Sequence, residues 1–216
     1  MTHLTHFMEL VQPEAGTALI SEWRTGASEL SRAAADAMIG ELEAAETPSA
    51  LLAQHLFLST DGTSLLFYAQ WTSDEDHLVW ARAHRNARVS RIDAIVPGIE
   101  RPGLNRTRLH RSVVHDADRR PGVFVVTTMA TDEAEGAVRP TPGLLAGHIH
   151  LTTDGERAIV VTEWTDAASH EAAVTTASGT SGTGHQQYKR YTLHHSFLGC
   201  GAKVASETDA VDRRGM

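Results

Sequence analysis

A twelve-residue stretch occurs twice in this chain. "LLAQHLFLSTDG" spans Leu51–Gly62 and "LLAGHIHLTTDG" spans Leu144–Gly155, 93 positions further on. The match extends without a gap over 27 positions, from Leu51–His77 to Leu144–His170, and 11 of them are identical. Two tryptophans and two pairs of histidines fall in register, which composition alone does not produce. The repeat therefore predicts that the 216 residues form two similar units of roughly 100 residues each.

The first copy shows a pattern of six elements. A β-rich stretch, Gly16–Trp23, precedes a helix predicted over Ala27–Glu46, with Ser28 as its N-cap and apolar residues at helical spacing. The repeated segment supplies a β-hairpin, because Asp-Gly between two apolar runs is a strong hairpin signal. A second helix begins after Ser73, and Asn105–Val114 is predicted as the last strand. The order β-α-β-β-α-β predicts an α+β, ferredoxin-like unit with both helices on one face of an antiparallel sheet.

The second copy follows the same order with two changes. Only "TDEAEGAVRPTPG" stands where the first copy has its long first helix. A glycine-rich segment, Ser178–Gly184, is predicted to be a flexible loop that forms a mobile rim over a cavity. The final strand, Lys189–Leu198, echoes the last strand of the first copy and carries Arg190 where that copy has Arg106.

The domain boundary is predicted in the polar, turn-rich segment His115–Gly122. This gives one ferredoxin-like domain at 1–116, a second at 117–200 with a shortened first helix, and a disordered tail at 201–216. Each predicted sheet has an apolar face that its own helices do not cover. The two sheets are therefore expected to pack together within one chain, as an intrachain dimeric α+β barrel that can enclose a cavity.

Composition excludes several classes of protein. The net charge of −8 comes without a basic stripe, which argues against nucleic-acid binding. The single cysteine, Cys200, excludes an internal disulfide framework and fits a reducing cytoplasm. The first ten residues have no signal-peptide pattern, and no apolar run approaches the length of about 18 residues that a membrane span needs. We therefore expect a soluble cytoplasmic protein that binds neither membrane nor nucleic acid.

Tryptophan and histidine recur at matching positions of the repeat. Trp71 and Trp164 each end a strand, and His77 and His170 follow six residues later in the first turn of a helix. A helix N-terminus lowers the pKa of an imidazole and favours its neutral form, which suits a general base. The structural alternative is packing at the strand–helix junction for the tryptophans and solvent-exposed capping for the histidines.

Three more histidines lie on the repeated hairpins. His55 and His148 match, and His150 shares a face with His148 because strand side chains alternate. A metal site that also used Glu163 and His194 is one interpretation. The first copy lacks the corresponding ligands, so no metal is predicted. Proton donors in the cavity, or structural histidines, are the alternatives that remain.

The hairpin that ends in "QWTSDEDH" or "EWTDAASH", inside a β-α-β-β-α-β unit, resembles the antibiotic biosynthesis monooxygenase family. The resemblance covers both copies, Gly16–Val114 and Gly122–Leu198. A duplicated unit of this size is most similar to the oxygenases that open a ring of angucycline intermediates in aromatic polyketide pathways. The resemblance implies an oxygenase that hydroxylates or cleaves a polycyclic aromatic polyketide. It also implies O₂ and reduced FMN or FAD as a diffusible cosubstrate, with a flavin reductase as a partner.

Two sets of candidate residues follow from these patterns and from the resemblance. The predicted catalytic residues are His77, Trp71, His55, His148, Trp164, His170 and His194. The predicted substrate-binding residues are Trp23, Tyr68, Trp80, Arg91 and His150. Arg91 belongs to a series of four arginines on one predicted helix: Arg82, Arg85, Arg88 and Arg91. Most of this series is expected to face solvent. One of the four could reach the mouth of the cavity and stabilise an oxyanion.

Two other functions remain open from the sequence. Single-domain relatives that form quinones use O₂ without a cofactor, so a cofactor-independent monooxygenase is the first alternative. A non-catalytic small-molecule-binding barrel is the second. The sequence leaves open whether the chain forms a homodimer.

Overall fold

The computed structural model describes residues 11–180 and 188–199 of the chain. The strands in this part are β1 (Thr17–Arg24), β2 (Leu51–Ser59), β3 (Ser64–Trp71), β4 (Glu100–Val114), β5 (Val123–Ala130), β6 (Leu144–Thr152), β7 (Arg157–Trp164) and β8 (Tyr188–Leu198). The helices are α1 (Ser28–Ala44), α2 (Asp74–Ile95), α3 (Ala134–Ala137) and α4 (Ala167–Thr180), with a 3₁₀ turn at Thr131–Glu133. None of these helices combines the length and the apolar character that a membrane crossing requires.

The strands close into one barrel in the order β1-β3-β2-β8-β5-β7-β6-β4, with every neighbouring pair antiparallel. The first repeat contributes β4-β1-β3-β2 and the second contributes β8-β5-β7-β6. They meet along two seams, β2–β8 and β4–β6. The predicted α+β class and antiparallel sheet are confirmed. The division into domains at 116 and 200 stays a prediction, because the strands of both repeats belong to one continuous barrel.

The repeat is also visible in the backbone. The Asp-Gly turns of both hairpins place Gly62 and Gly155 at positive φ, +74° and +75°, a conformation that glycine adopts without the steric cost of a side chain. His110 and His194 are the extra residues of two β-bulges, in β4 and β8. A bulge at the same position of each copy bends the last strand of each unit towards the seam with the other.

Strand side chains alternate between the inside of the barrel and an outer face that the helices cover. The buried core inside the barrel includes Ile20, Phe57, Tyr68, Phe124 and Tyr191. The outer core of the first half packs Trp23, Leu56, Phe67 and Ile92 against Met38 and Leu42 of α1. Because both faces of the sheet are covered in this half, β2 and β3 are buried along almost their whole length.

The outer face of the second half is covered differently. The 3₁₀ turn and the four-residue α3 replace the long first helix, and Val138 packs directly onto Ile149 and Val160. A Cβ atom on Gly147 of β6 would lie 2.4 Å from Cγ1 of Val138, so this close approach requires glycine.

One predicted loop is partly helical. Because α4 continues to Thr180, the first three residues of the segment Ser178–Gly184 belong to that helix. The rest of that segment, Cys200 and the predicted tail lie outside the described residues.

Candidate functional site

A cavity of about 200 Å³ lies on the outer face of the sheet in the first half. Its floor comes from β1 and β3, its sides come from α1 and α2, and its edge includes the exposed residues Glu46 and Leu104. The cavity was expected between two sheets. This cavity lies instead between the sheet and the helices.

Aromatic rings form one wall of this cavity. The ring of Trp71 lies 5.1 Å from that of His77 and 5.4 Å from that of Trp80, measured between centroids. Trp23, which also lines the cavity, packs at 4.5 Å from Phe67. Large flat faces of this kind bind flat aromatic ligands by stacking and edge contacts.

Guanidinium groups supply the charge of the cavity. Arg85, Arg88 and Arg101 line it, against the single carboxylate of Glu46. The Arg101 guanidinium lies 4.2 Å from the ring centroid of Trp23, and that of Arg88 lies 4.7 Å from the ring centroid of Trp80. Burial lowers the pKa of Arg88 from its ordinary value, yet an arginine stays cationic at neutral pH. Arg101 is paired with Asp93 at 2.6 Å, which leaves Arg85 and Arg88 against Glu46, and this excess of positive charge favours an anionic ligand.

The protonation state of His77 is set by its neighbours. Its Nδ1 lies 3.0 Å from Nη2 of Arg106, whose Nη1 bonds to Asp74 at 3.1 Å. Burial, and then the charge of Arg106, lowers the pKa of His77 to about 4. A guanidinium only donates, so Nδ1 must accept and the single proton of the neutral ring resides on Nε2. In this arrangement His77 presents an N–H donor and has no free lone pair on its ring nitrogens; its predicted catalytic role, as proton donor or base, stays a prediction.

The same cluster recurs in the second half. The ring of Trp164 lies 4.9 Å from that of His170, and Nε of Arg190 donates to Nδ1 of His170 at 3.0 Å. Burial and Arg190 lower the pKa of His170 to about 4. Gly147 of the second half corresponds in the repeat to Gln54, which lines the cavity of the first half. In the second half, the side chain of Val138 covers Gly147. The arrangement of tryptophan, histidine and arginine is thus common to both halves, whereas the cavity described above belongs to the first.

Four further predicted residues lie inside the barrel, on the opposite face of the sheet from this cavity. The hydroxyl of Tyr68 and Nε2 of His150 are 3.1 Å apart, and Nε2 of His148 lies 3.3 Å from the carboxylate of Glu163. Burial, and then His148, lowers the pKa of His150 to about 3, and burial raises that of Tyr68. The ring of His55 stacks 6.1 Å from that of Tyr68. These residues form a buried polar cluster and do not line the outer cavity.

The structure also separates two other predicted residues from the cavity. His194 faces Asp36 of α1 at 3.4 Å. Arg91 forms a bidentate ion pair with Glu41, at 2.7 and 2.6 Å, and is exposed. Arg85 and Arg88 are the members of that arginine series that line the cavity. Within the described part of the chain, no group of three or more histidine, cysteine, aspartate or glutamate side chains is placed to hold a metal ion.

Sequence reasoning missed the partners of the repeated histidines. Arg106 and Arg190 occupy matching positions of the repeat, so the signal was present. Their contacts with His77 and His170 span 29 and 20 residues and follow from the pairing of strands rather than from local spacing.

Comparison with known proteins identifies the fold. The sequence matches no protein-family model and no curated protein. Among solved structures, an anthrone oxidase-like protein is 17% identical with a TM-score of 0.60, over 91% of this chain and 99% of that one. A candidate monooxygenase from Fusobacterium nucleatum is 8% identical, with a TM-score of 0.52 over 85% of this chain and 95% of its own. A further candidate monooxygenase, from Lactobacillus acidophilus, is 11% identical, with a TM-score of 0.50 over 88% and 99%. At these identities the similarity is one of fold.

Proposed function

We propose that this chain is an oxygenase that oxidises an electron-rich polycyclic phenol with O₂ in the cavity beneath α1 and α2. The observation that carries the proposal is the meeting, in one cavity, of a tryptophan wall, the neutral His77 and the guanidinium groups of Arg85 and Arg88. The names of the structural neighbours, anthrone oxidase-like and candidate monooxygenase, support the same class of reaction by analogy of fold.

The cavity supplies what such a substrate needs. Triplet O₂ reacts slowly with closed-shell molecules, so the substrate must first release an electron, and a phenolate does so more readily than a phenol. Cationic groups and N–H donors stabilise the phenolate oxygen. Trp71 and Trp80 contact the rings, while the arginines and Nε2–H of His77 hold the oxyanion. Because His77 has no lone pair to accept a proton, the phenol loses its proton to water at the cavity mouth.

A quinone-forming oxidation needs no external reductant. In a polycyclic phenol whose keto form carries a methylene group para to the ring carbonyl, the two C–H bonds of that methylene break and one atom of O₂ becomes the new carbonyl oxygen. The other atom leaves as water with the two hydrogens. The substrate supplies all four electrons that reduce O₂, so this is the reaction that the cavity supports best.

Ring hydroxylation or C–C cleavage requires two further electrons, for which reduced FMN or FAD is the cosubstrate that the family resemblance implies. The enclosed volume of about 200 Å³ lies below the range of about 300–1,000 Å³ typical of sites for drug-sized ligands. The cavity therefore does not fit an isoalloxazine ring beside a polycyclic substrate. Reduced flavin enters only as a diffusible cosubstrate delivered by a separate reductase.

Aromatic polyketides are the substrate class that we propose, since they are flat, hydroxylated and electron-rich. The enclosed volume takes only part of such a ring system. The remainder extends past the exposed edge formed by Glu46 and Leu104.

The test uses 1,8-dihydroxyanthrone as the phenol and follows O₂ consumption and quinone absorbance, corrected for spontaneous oxidation. We expect turnover without flavin, with one O₂ consumed for each quinone formed. Arg85→Gln should slow it, whereas Arg82→Gln, an exposed arginine of the same helix away from the cavity lining, should not. Turnover only after addition of reduced FMN would favour the flavin-dependent reaction. Binding of the phenol without turnover in either condition would make the chain a non-catalytic binding protein and overturn the proposal.

A further inference from the structure

A second, larger cavity opens at one end of the barrel. It has a volume of about 660 Å³, within the range of about 300–1,000 Å³ that small-molecule sites occupy. Two of its lining residues are Asp61, in the turn of the first hairpin, and Arg157, directly after the turn of the second hairpin. The cavity therefore lies at the end of the barrel that carries both turns. We name it the mouth cavity. It is on the inner face of the sheet, and the first cavity is on the outer face.

Part of the lining of the mouth cavity is apolar. Ile20, Leu66, Ile159 and Tyr191 line it and belong to the buried core inside the barrel. A second tyrosine, Tyr188, also lines it. Both repeats contribute to these walls, so the cavity exists only in the closed barrel. An apolar floor with two phenol rings suits a flat aromatic group.

The rim of the mouth cavity is charged, and its carboxylates are already engaged by the protein. Glu22 contacts the ammonium of Lys189 and lies 3.5 Å from Nε of Arg24. Burial alone would raise the pKa of Glu22, but Lys189, Ser64 and Arg24 together hold it below its ordinary value. Asp61 accepts bonds from the Ser59 hydroxyl at 2.7 Å and from the backbone N–H of Thr63 at 2.9 Å.

Positive charge therefore remains at the rim. Arg24, Arg157 and Lys189 stand against two carboxylates. Among the described residues Arg157 forms no ion pair with a carboxylate, and it is exposed at the cavity edge. A guanidinium in this position binds a carboxylate strongly, because it presents two parallel N–H donors.

We propose that the mouth cavity is a second ligand site, which takes an aromatic carboxylate with its rings inside the barrel and its carboxylate on Arg157. This site is independent of the proposed oxygenase activity, since Ser21 alone lines both cavities and has no part in the proposed oxidation.

The test is calorimetric titration of the whole chain with 2-naphthoate and with its neutral analogue 2-naphthamide. Wild-type protein should bind the carboxylate roughly tenfold more tightly than the amide, as expected for a charge-assisted hydrogen bond. Arg157→Gln should remove this preference. Arg119→Gln, an exposed arginine of the segment between the repeats, is the matched control and should keep it.

Two obstruction variants assign the binding to one cavity. Thr128 is exposed and lines the mouth cavity, so Thr128→Trp should block it, whereas Thr192→Trp, at an exposed position of β8 outside the lining, should not. Leu104→Trp obstructs the outer cavity instead. The proposal holds if Thr128→Trp weakens 2-naphthoate binding at least tenfold and Leu104→Trp leaves it unchanged. It is overturned if Leu104→Trp alone abolishes binding, if the acid and the amide bind equally, or if neither binds. Circular dichroism of each variant checks that it is folded.

Discussion

Two arginines fix the protonation state of two histidines at equivalent places in the repeat. Arg106 donates to Nδ1 of His77 and Arg190 donates to Nδ1 of His170, each at 3.0 Å. Burial disfavours the charged imidazole, and its protonation would also place a second proton donor against a guanidinium; together these effects lower both pKa values to about 4. The sequence placed the histidines correctly beside their tryptophans. It could not assign their chemistry, because that depends on arginines which strand pairing brings from a distant part of the chain.

The repeat provides a matched pair of variants for the role of His77. His77→Ala removes the Nε2–H donor from the outer cavity, and we expect turnover to fall by about 10²–10³, the usual worth of one oxyanion donor. His170→Ala removes the same cluster from the second half and should leave turnover unchanged. Both variants lose a hydrogen bond to a charged group, so each should lose about 1–3 kcal/mol of stability. Single-turnover rates and urea unfolding measure the two effects; equal rates in both variants would contradict this role.

The depressed pKa values also predict how stability depends on pH. A histidine whose pKa is about 4 in the folded state and about 6.5 in the unfolded chain stabilises the fold fully above pH 6.5. That stability is lost as the pH falls towards 4, because the unfolded chain then binds more protons. We expect the urea midpoint to decrease between pH 6.5 and pH 5. The His77→Gln/His170→Gln double variant, whose amide oxygens can still accept from the arginines, should show a shallower decrease. An identical pH profile would exclude these histidines as its source.

At the scale of elements, the outer cavity forms in the first half, where the long helix α1 covers the sheet. In the second half the 3₁₀ turn and the short helix α3 replace α1. The sequence predicted a long helix over Ala27–Glu46 and the absence of its counterpart in the second copy, and the structure agrees with both predictions. The sequence did not predict which face of the sheet the cavity lies on. β2 and β3 are mostly apolar and are buried on both faces, so no alternation of apolar and polar residues distinguishes the inner face from the outer one. The sequence therefore predicted a cavity only between the two sheets, and the cavity on the outer face was missed.

Tight packing of the short segment of the second half gives a prediction for Gly147. Gly147→Ala forces its Cβ against Val138, 2.4 Å away, and overpacking of this kind costs about 1–3 kcal/mol. Val138→Ala in the same chain removes the clash, so the double variant should lose less stability than the sum of the two single variants. Gly103→Ala on β4, where an added Cβ meets no atom within 4 Å, is the control and should be close to neutral. Additive effects in urea unfolding would show that the two residues do not compete for space.

At the scale of the whole molecule, two seams hold the halves together. β2 pairs with β8 and β4 pairs with β6 along their lengths, and each seam joins a strand of one repeat to a strand of the other. Without its partner each half would expose two unpaired edges and the apolar face that lines the barrel, including Ile20 and Phe57 in the first half. Exposed edges of this kind pair with other chains. The closed barrel therefore makes the halves dependent on each other for stability, whether or not the predicted boundary at 116 separates two domains.

The same closure predicts the behaviour of the isolated fragment 1–116. In the repeat, β8 of the second half corresponds to β4 of the first, and β6 corresponds to β2. A second copy of the first half can therefore replace the second half: its β4 can pair with β2 of the first copy, and its β2 can pair with β4 of the first copy. Two fragments can thereby close a barrel with the seams of the whole chain, which is the isologous pairing of a twofold dimer. We expect sedimentation equilibrium to find the fragment as a dimer, or else insoluble when expressed alone. Co-expression with 117–216 should convert it into a one-to-one complex, because the natural partner strands compete for the same edges. A folded, monomeric fragment with a cooperative thermal transition would show that the first half is stable with both edges free, and that the barrel is not required for its fold.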